Sequence, residues 1–302
     1  NNEAKPSNTV KALVPYEAKG SVRLQAAKAL VGAALQDGQF AFELRDANGD
    51  VISTAANGAD GTVAFPEIPY TAADIGKTHA YTIVERDGGV PGYIYDTHTE
   101  TVTVTVSDAG GGALNATASY DADGAVFSNE FRHALGVVKR STSADALAGA
   151  VFTLYEDDGD GAHTEADPVA AVYSDPQMTT EILGAEAATG ADGTVVYHGL
   201  RASTTYWLKE TRAPAGYTLD PRAHAIAVSA SGEVATTDAA GSPAALPLVE
   251  GTATITIVDE PLPVLPATSG PGAVPFVFAG SFLTAAGAGI LLTRRSKRRA
   301  SM

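Results

Sequence analysis

Strict alternation of apolar and polar residues is the dominant pattern in the chain. In residues 101–106 every second residue is a valine and the others are threonines, which is typical of a half-buried strand. Similar short runs recur between the turn sequences Asn48-Gly49-Asp50, Asp60-Gly61, Gly110-Gly111-Gly112 and Asp192-Gly193. No stretch before the C-terminal region has a helical period, so the pattern predicts an all-β protein.

The C-terminal region has a different pattern. Residues 273–293 are uncharged and largely apolar, and a transmembrane helix needs roughly 20 such residues. A basic cluster follows at residues 294–299, and such clusters stay on the cytoplasmic side of the membrane. A buried core helix is the alternative, but the basic cluster could not be buried behind it. The pattern therefore predicts one transmembrane helix, with everything upstream outside the cell.

Several segments occur twice, in the same order. Ala-Asp-Gly-Thr-Val stands at residues 59–63 and 191–195, and a Gly-Tyr pair follows at residues 92–93 and 216–217. We therefore predict two related β-sandwich domains. The predicted divisions are a linker or the end of an upstream domain at 1–19, the two sandwiches at 20–132 and 133–260, and a C-terminal region at 261–302.

Composition excludes several function classes. The 302 residues carry a net charge of −15, which argues against nucleic acid because a phosphate backbone requires a basic surface. Cysteine is absent, so disulfides and thiolate metal sites are impossible. The six histidines show no zinc spacing, and we expect no cofactor and no metal. The given sequence does not begin with a signal-peptide pattern, so either such a peptide was removed or the chain is an excerpt from a longer protein, and we expect an excerpt.

Three polar residues in each half lie in phase with apolar neighbours. A lone buried charge is very costly, so buried ionisable groups are paired or neutral. A neutral lysine is a nucleophile, and a protonated glutamic acid can polarise a side-chain carbonyl and shuttle protons. These groups could form an amide cross-link; the alternatives are a buried salt bridge, or strand ends where the charge reaches water. The six residues are Lys28, Glu85 and Asn129 in the first half, and Lys139, Glu210 and Asp259 in the second.

The two halves resemble two known domain families. The first half, with Gly-Gln-Phe-Ala-Phe at 38–42, resembles the streptococcal pilin isopeptide-linkage domain. The second, with Leu-Ala-Gly-Ala-Val-Phe at 147–152 and Leu-Lys-Glu-Thr-Arg-Ala-Pro-Ala-Gly-Tyr at 208–217, resembles a SpaA-type, or collagen-adhesin B-type, domain. The resemblance implies sandwiches of the immunoglobulin-like or prealbumin-like kind. In these families a first-strand lysine bonds to a last-strand Asn or Asp, with a glutamate as catalyst.

The resemblance implies a role for each of the six residues. Lys28 would bond to Asn129 with Glu85 as catalyst, and Lys139 would bond to Asp259 with Glu210 as catalyst. SpaA-type domains more often have Asn at the position of Asp259.

A sorting motif precedes the apolar span. Leu265-Pro266-Ala267-Thr268-Ser269-Gly270 resembles the LPXTG signal of Gram-positive bacteria, with Ser269 where the motif has Gly. The resemblance implies that a sortase cleaves after Thr268 and joins the protein to peptidoglycan at the cell surface. Before sorting, residues 273–293 would hold the protein in the membrane. Other pilin subunits and host ligands are further expected partners.

Two further features of the sequence give weaker signals. Glu156, Asp158, Asp160, Gly161 and Asp167 are spaced nearly as in an EF-hand loop, but flanking helices are missing; we favour a solvated acidic turn with at most weak calcium binding. Residues 7–10 resemble residues 128–131, so Asn8 would be the cross-linking residue of a preceding domain.

The favoured function is a wall-anchored stalk or pilin subunit that supports adhesion and is not an enzyme. One alternative is a polymerised pilus backbone, but residues 14–19 match its Tyr-Pro-Lys acceptor segment poorly. The other is the anchoring stalk of a surface enzyme whose catalytic domain lies upstream.

Overall fold

The computed structural model describes residues 16–121, 124–237 and 242–263. Within these ranges every regular element is a strand, apart from two single turns of 3₁₀ helix at Ala72–Asp74 and Leu183–Ala185. Among the same residues no helix is long and apolar enough to cross a membrane. The predicted all-β class is confirmed. The predicted transmembrane helix at 273–293 lies outside the described residues.

The first domain is a β-sandwich of a seven-stranded and a four-stranded sheet. The larger sheet has the order β4-β3-β7-β9-β10-β1-β6 and the smaller one β5-β2-β11-β8. The strands are β1 Lys19–Val22, β2 Gln25–Val31, β3 Ala41–Arg45, β4 Val51–Ala56, β5 Thr62–Ala64, β6 Ile68–Thr71, β7 Thr78–Glu85, β8 Tyr93–Ile94, β9 Thr99–Gly110, β10 Ala113–Tyr120 and β11 Val126–Phe131.

Alternation correctly predicted which face of β9 is buried. Val102, Val104 and Val106 are all fully buried in the core of the first domain. The segment 22–30, which alternates as one strand in the sequence, is divided between β1 in the large sheet and β2 in the small one. The predicted alternation of buried residues continues through this break, because Leu24, Ala26 and Lys28 are all buried.

The second domain is also a two-sheet sandwich. A four-stranded sheet has the order β15-β12-β21-β20, and a six-stranded sheet has the order β14-β13-β16-β17-β18-β19. The strands are β12 His133–Ser141, β13 Val151–Glu156, β14 Glu186–Ala188, β15 Thr194–Leu200, β16 Thr204–Arg212, β17 Ala223–Val228, β18 Val234–Thr237, β19 Pro243–Ala245, β20 Leu248–Val249 and β21 Thr252–Asp259.

Each sandwich has its own hydrophobic core, and in each the early and last strands are parallel neighbours. Strand β2 pairs in parallel with β11 in the first domain, and β12 pairs in parallel with β21 in the second. The two cores form separate clusters of buried side chains. This pairing places residues that are far apart in sequence side by side.

The junction between the sandwiches is short and tightly packed. β11 ends at Phe131 and β12 begins at His133, so only Arg132 separates the two strands. The His133 ring donates through Nε2 to the carbonyl oxygen of Gly32 at 2.8 Å. Burial at this position lowers the pKa of His133. The junction residue is therefore held as a neutral donor between the two domains.

Candidate functional site

Three elements of the first domain bring together Lys28, Glu85 and Asn129. Lys28 lies on β2 and Asn129 on β11, which are adjacent strands of the small sheet. Glu85 is the last residue of β7 in the facing large sheet, paired with Phe42 of β3. The glutamate therefore reaches the two small-sheet residues across the interior of the sandwich.

The carboxyl group of Glu85 bridges the other two side chains. Lys28 Nζ lies 2.8 Å from Glu85 Oε2, and Asn129 Nδ2 donates to Glu85 Oε1 at 2.6 Å. The side chains of Lys28 and Glu85 are completely inaccessible to solvent. All three residues that the sequence predicted for this site are thus in one buried hydrogen-bonded group.

The surroundings of this group are apolar and aromatic. The ring centroid of Phe40 lies 4.8 Å from Lys28 Nζ, and Phe42 packs edge-on against Phe127. Burial lowers the pKa of Lys28, although the nearby Glu85 opposes the shift. Burial likewise raises the pKa of Glu85, against the hydrogen bonds from Lys28 and Asn129. Both shifts favour a neutral amine beside a neutral acid.

The second domain contains a similar group made of Lys139, Glu210 and Asp259. Lys139 on β12 donates to Asp259 Oδ1 on the parallel neighbour β21, and its Nζ lies 3.1 Å from Glu210 Oε1. Glu210 comes from β16 in the opposite sheet. The Phe152 ring centroid lies 5.5 Å from Lys139 Nζ. Burial raises the pKa of Glu210.

The repeated Asp-Gly-Thr turn lies directly against the lysine in both domains. Lys28 N donates to Gly61 O, and Lys139 N donates to Gly193 O, each at 2.7 Å. A Cβ atom on Gly61 would lie 2.4 Å from Lys28 O, and one on Gly193 would lie 2.6 Å from Lys139 O. Both glycines also have positive φ angles. The internal repeat therefore marks a turn that positions the lysine backbone.

Two aspartates that the sequence pattern did not predict contact these groups through their backbone N–H. Asp96 N donates to Asn129 Oδ1 at 2.8 Å, and Asp220 N donates to Glu210 Oε2 at 2.7 Å. The signal was available in the repeat, since each aspartate stands four positions after the glycine of a Gly-Tyr pair. An aspartate in a loop is usually attributed to turn formation, so the pattern alone did not reveal this contact.

The acidic loop differs from the predicted ligand set. Glu156, the predicted first position, instead forms a salt bridge with Arg201. The cluster contains Asp157 instead of Glu156. Four carboxylates have oxygens within 4.8 Å of one another, those of Asp157, Asp158, Asp160 and Asp167. Several of these oxygens accept loop hydrogen bonds, as Asp167 Oδ2 does from Thr164 N at 2.7 Å.

The remaining predicted sites lie outside the described residues. They are the sorting residues Leu265, Pro266, Thr268 and Ser269, and Asn8 in the N-terminal segment.

Family comparisons match both domains. Residues 24–132 match the FctA family model, described as a Spy0128-like isopeptide containing domain. Residues 133–241 match the SpaA family model, described as a prealbumin-like fold domain. The first match ends at residue 132 and the second begins at residue 133. No curated protein matches the chain in sequence.

Solved structures of pilus proteins are similar to this chain at low identity. The C-terminal fragment of pilus adhesin SpaC from Lactobacillus rhamnosus GG is 18% identical, covering 81% of this chain and 99% of the fragment, with a TM-score of 0.33. The major pilin T-13 from Streptococcus pyogenes is 17% identical, covering 82% and 100%, with a TM-score of 0.32. The shaft pilin SpaA from Lactobacillus rhamnosus GG is 14% identical, covering 82% and 100%, with a TM-score of 0.32.

Proposed function

Because the chain carries a Spy0128-like isopeptide domain followed directly by a SpaA prealbumin-like domain, we propose that it is a Gram-positive surface stalk or pilin subunit. Its function is mechanical, and each domain is closed by an autocatalytic isopeptide bond. The observation that supports this most directly is the buried group of Lys28, Glu85 and Asn129, in which one carboxyl group contacts both reacting side chains.

Each bond would join a strand near the start of a domain to the last strand of that domain. In the first domain the bond links β2 to β11, and in the second it links β12 to β21. Tension between the chain ends would then pass through the bond, while the strands between would bear little load. A protein without cysteine would gain covalent robustness that is insensitive to reduction.

The cross-links are tested by the intact mass of the folded full chain. Lys28–Asn129 bonding releases one ammonia, and Lys139–Asp259 bonding releases one water. We expect both losses in the wild-type protein, and Glu85→Ala should abolish only the loss of ammonia. A folded wild-type chain with the full sequence mass would contradict the proposal. Absence of the water loss alone would indicate that Lys139, Glu210 and Asp259 form a buried ion network instead.

Anchoring rests on the sorting sequence at residues 265–270 followed by the apolar span. We propose that a sortase cleaves after Thr268 and links the chain to peptidoglycan. Thr268→Ala should leave the protein in the membrane fraction. The control Ala267→Gly changes the variable position of the motif and should still be anchored. Covalent attachment of the Thr268→Ala variant to wall material released by muramidase would refute this part of the proposal.

A stalk of this kind would hold an upstream region away from the cell and support adhesion. Its partners would be the sortase, peptidoglycan and, in a pilus, other pilin subunits or host ligands. The only chemistry expected of the chain is the formation of its own cross-links.

A further inference from the structure

The orientation of the Asn129 side-chain amide is defined by its neighbours. Asp96 N lies 2.8 Å from one terminal atom of this amide. A backbone N–H can only donate, so that atom is the carbonyl oxygen Oδ1. The other terminal atom is therefore the nitrogen Nδ2, which lies 2.6 Å from Glu85 Oε1. Glu85 thus faces the nitrogen that has to leave, and not the oxygen that has to be polarised.

This arrangement divides two tasks between two groups: Glu85 moves protons, and another group stabilises the carbonyl oxygen. When an amine attacks the amide carbon, negative charge develops on the carbonyl oxygen, and a fixed N–H donor stabilises that charge. We propose that the backbone N–H of Asp96 is the oxyanion donor for the Lys28–Asn129 bond, and that the Asp96 side chain is the positioning group that holds it. The inference rests on the proposed cross-linking function.

The reaction balances with the groups present. Lys28 Nζ forms a bond to Asn129 Cγ, and the carbonyl electrons move onto Oδ1, which faces Asp96 N–H. Starting from the neutral amine and the neutral acid, Glu85 passes its proton to Nδ2, the Cγ–Nδ2 bond breaks, and ammonia leaves as the carbonyl reforms. The attacking nitrogen returns one of its two protons to Glu85, which ends neutral, and keeps the other as the amide N–H.

The Asp96 side chain ties the donor to the strand that carries Asn129. Asp96 Oδ2 accepts from Ser128 N at 2.7 Å, and Oδ1 accepts from His98 N at 2.9 Å. The His98 ring also bonds Oδ1 and stacks on Phe127 with a centroid distance of 4.1 Å. Burial opposes ionisation of Asp96, but these hydrogen bonds hold its pKa below the usual value. The donor is therefore in place before the reaction begins.

The second domain uses its equivalent N–H differently. Asp220 N donates to Glu210, the catalyst, rather than to the acceptor Asp259. Asp259 Oδ2 is buried and has no hydrogen-bond partner among the described residues. The oxyanion donor is therefore assigned to the first domain only, and the second domain provides an internal reference in the same molecule.

The test measures how fast the ammonia is lost in newly made protein. The full chain is synthesised in a cell-free reaction with detergent micelles, samples are quenched in acidic denaturant, and intact masses are recorded over time. Asp96→Pro removes the N–H, and the loss of water from the second domain of the same chain is the internal control. We expect loss of ammonia to be roughly 100-fold slower in Asp96→Pro, the usual effect of deleting one oxyanion donor, and the rate of water loss to be unchanged.

A second variant covers the case in which proline prevents folding. An α-hydroxy acid at position 96 replaces the N–H by an ester oxygen and leaves the chain shape unchanged. A folded ester variant that cross-links at the wild-type rate would overturn the role of Asp96 and leave the cross-link itself intact. A folded wild-type chain that never loses ammonia would overturn both the proposed cross-link and this inference.

Discussion

Replacing Lys28 by methionine would measure what the first cross-link contributes to stability. Methionine retains most of the length and apolar character of the lysine stem but has no nucleophilic nitrogen. The Lys28 side chain is completely buried, so a polar or shorter residue would add a packing penalty of its own. The variant therefore removes the bond with little change to the shape of the core.

The expected loss follows from the loop that the bond closes. Lys28 and Asn129 enclose about 100 residues, and a cross-link over such a loop contributes about 4.7 kcal/mol in the chain-entropy model. Removing one partner of a buried ion pair usually leaves a costly uncompensated charge, but in the cross-linked wild type Lys28 Nζ is an uncharged amide nitrogen, so the substitution breaks no ion pair. Glu85 keeps its hydrogen bond from Asn129, and its raised pKa lets it become neutral at little cost. The net expectation is a loss of about 4–5 kcal/mol.

Differential scanning calorimetry of the full chain is the appropriate assay. For a domain of this size 1 kcal/mol corresponds to a Tm change of about 4 °C, so the first-domain transition should fall by about 20 °C. The second-domain transition should stay in place. Lys77→Met, at an exposed position, is the matched control and should change neither transition. The loop-entropy reasoning is refuted if the intact mass shows that the wild type is cross-linked and yet the first-domain Tm values of wild type and Lys28→Met differ by only a few degrees.

Three further predictions concern other parts of the molecule. Gly61→Ala and Gly193→Ala should each lower the free energy of unfolding measured in urea by about 2 kcal/mol or more, because each glycine has a positive φ and its Cβ would clash with a lysine carbonyl oxygen. Gly49→Ala should lower it less, because there is open space around Gly49. The free energy of unfolding should fall as the pH drops from about 7 to about 5, because His133 is protonated near pH 6.5 in the unfolded state while burial lowers its pKa in the folded state. His133→Gln should reduce this dependence of stability on pH, and an unchanged dependence would exclude His133 as its source. Calorimetric titration of the full chain with calcium should show at most weak binding, and tight binding lost in Asp158→Ala/Asp160→Ala would contradict this.

The sequence alone determined the class of the fold and the face on which each candidate residue lies. Side chains in a strand alternate between two faces, so a lysine in phase with Leu24 and Ala26 had to point into the core. The same reasoning identified Glu85 and Asn129 in the first half, and Lys139, Glu210 and Asp259 in the second. These are local properties, and local periodicity is sufficient to read them.

The tertiary structure decided which of these residues meet and how. Periodicity identifies a face but not a neighbour, and only the parallel pairing of β2 with β11 places Lys28 and Asn129 on adjacent strands. The break between β1 and β2 was likewise invisible, because the alternation continues through it. In the acidic loop, only the structure shows that Asp157 belongs to the carboxylate cluster and that Glu156 forms a salt bridge with Arg201.

The contact of Asp96 with Asn129 shows most clearly what a sequence cannot supply. The donor is a backbone N–H, which every residue except proline has, so the repeated aspartate marks the position but does not show that its N–H is the donor. Its direction depends on the course of a loop held by Ser128 and His98. The strand pattern thus determined that three polar groups are buried in the first domain, whereas loop geometry determined which atom of Asn129 faces the donor and which faces the acid.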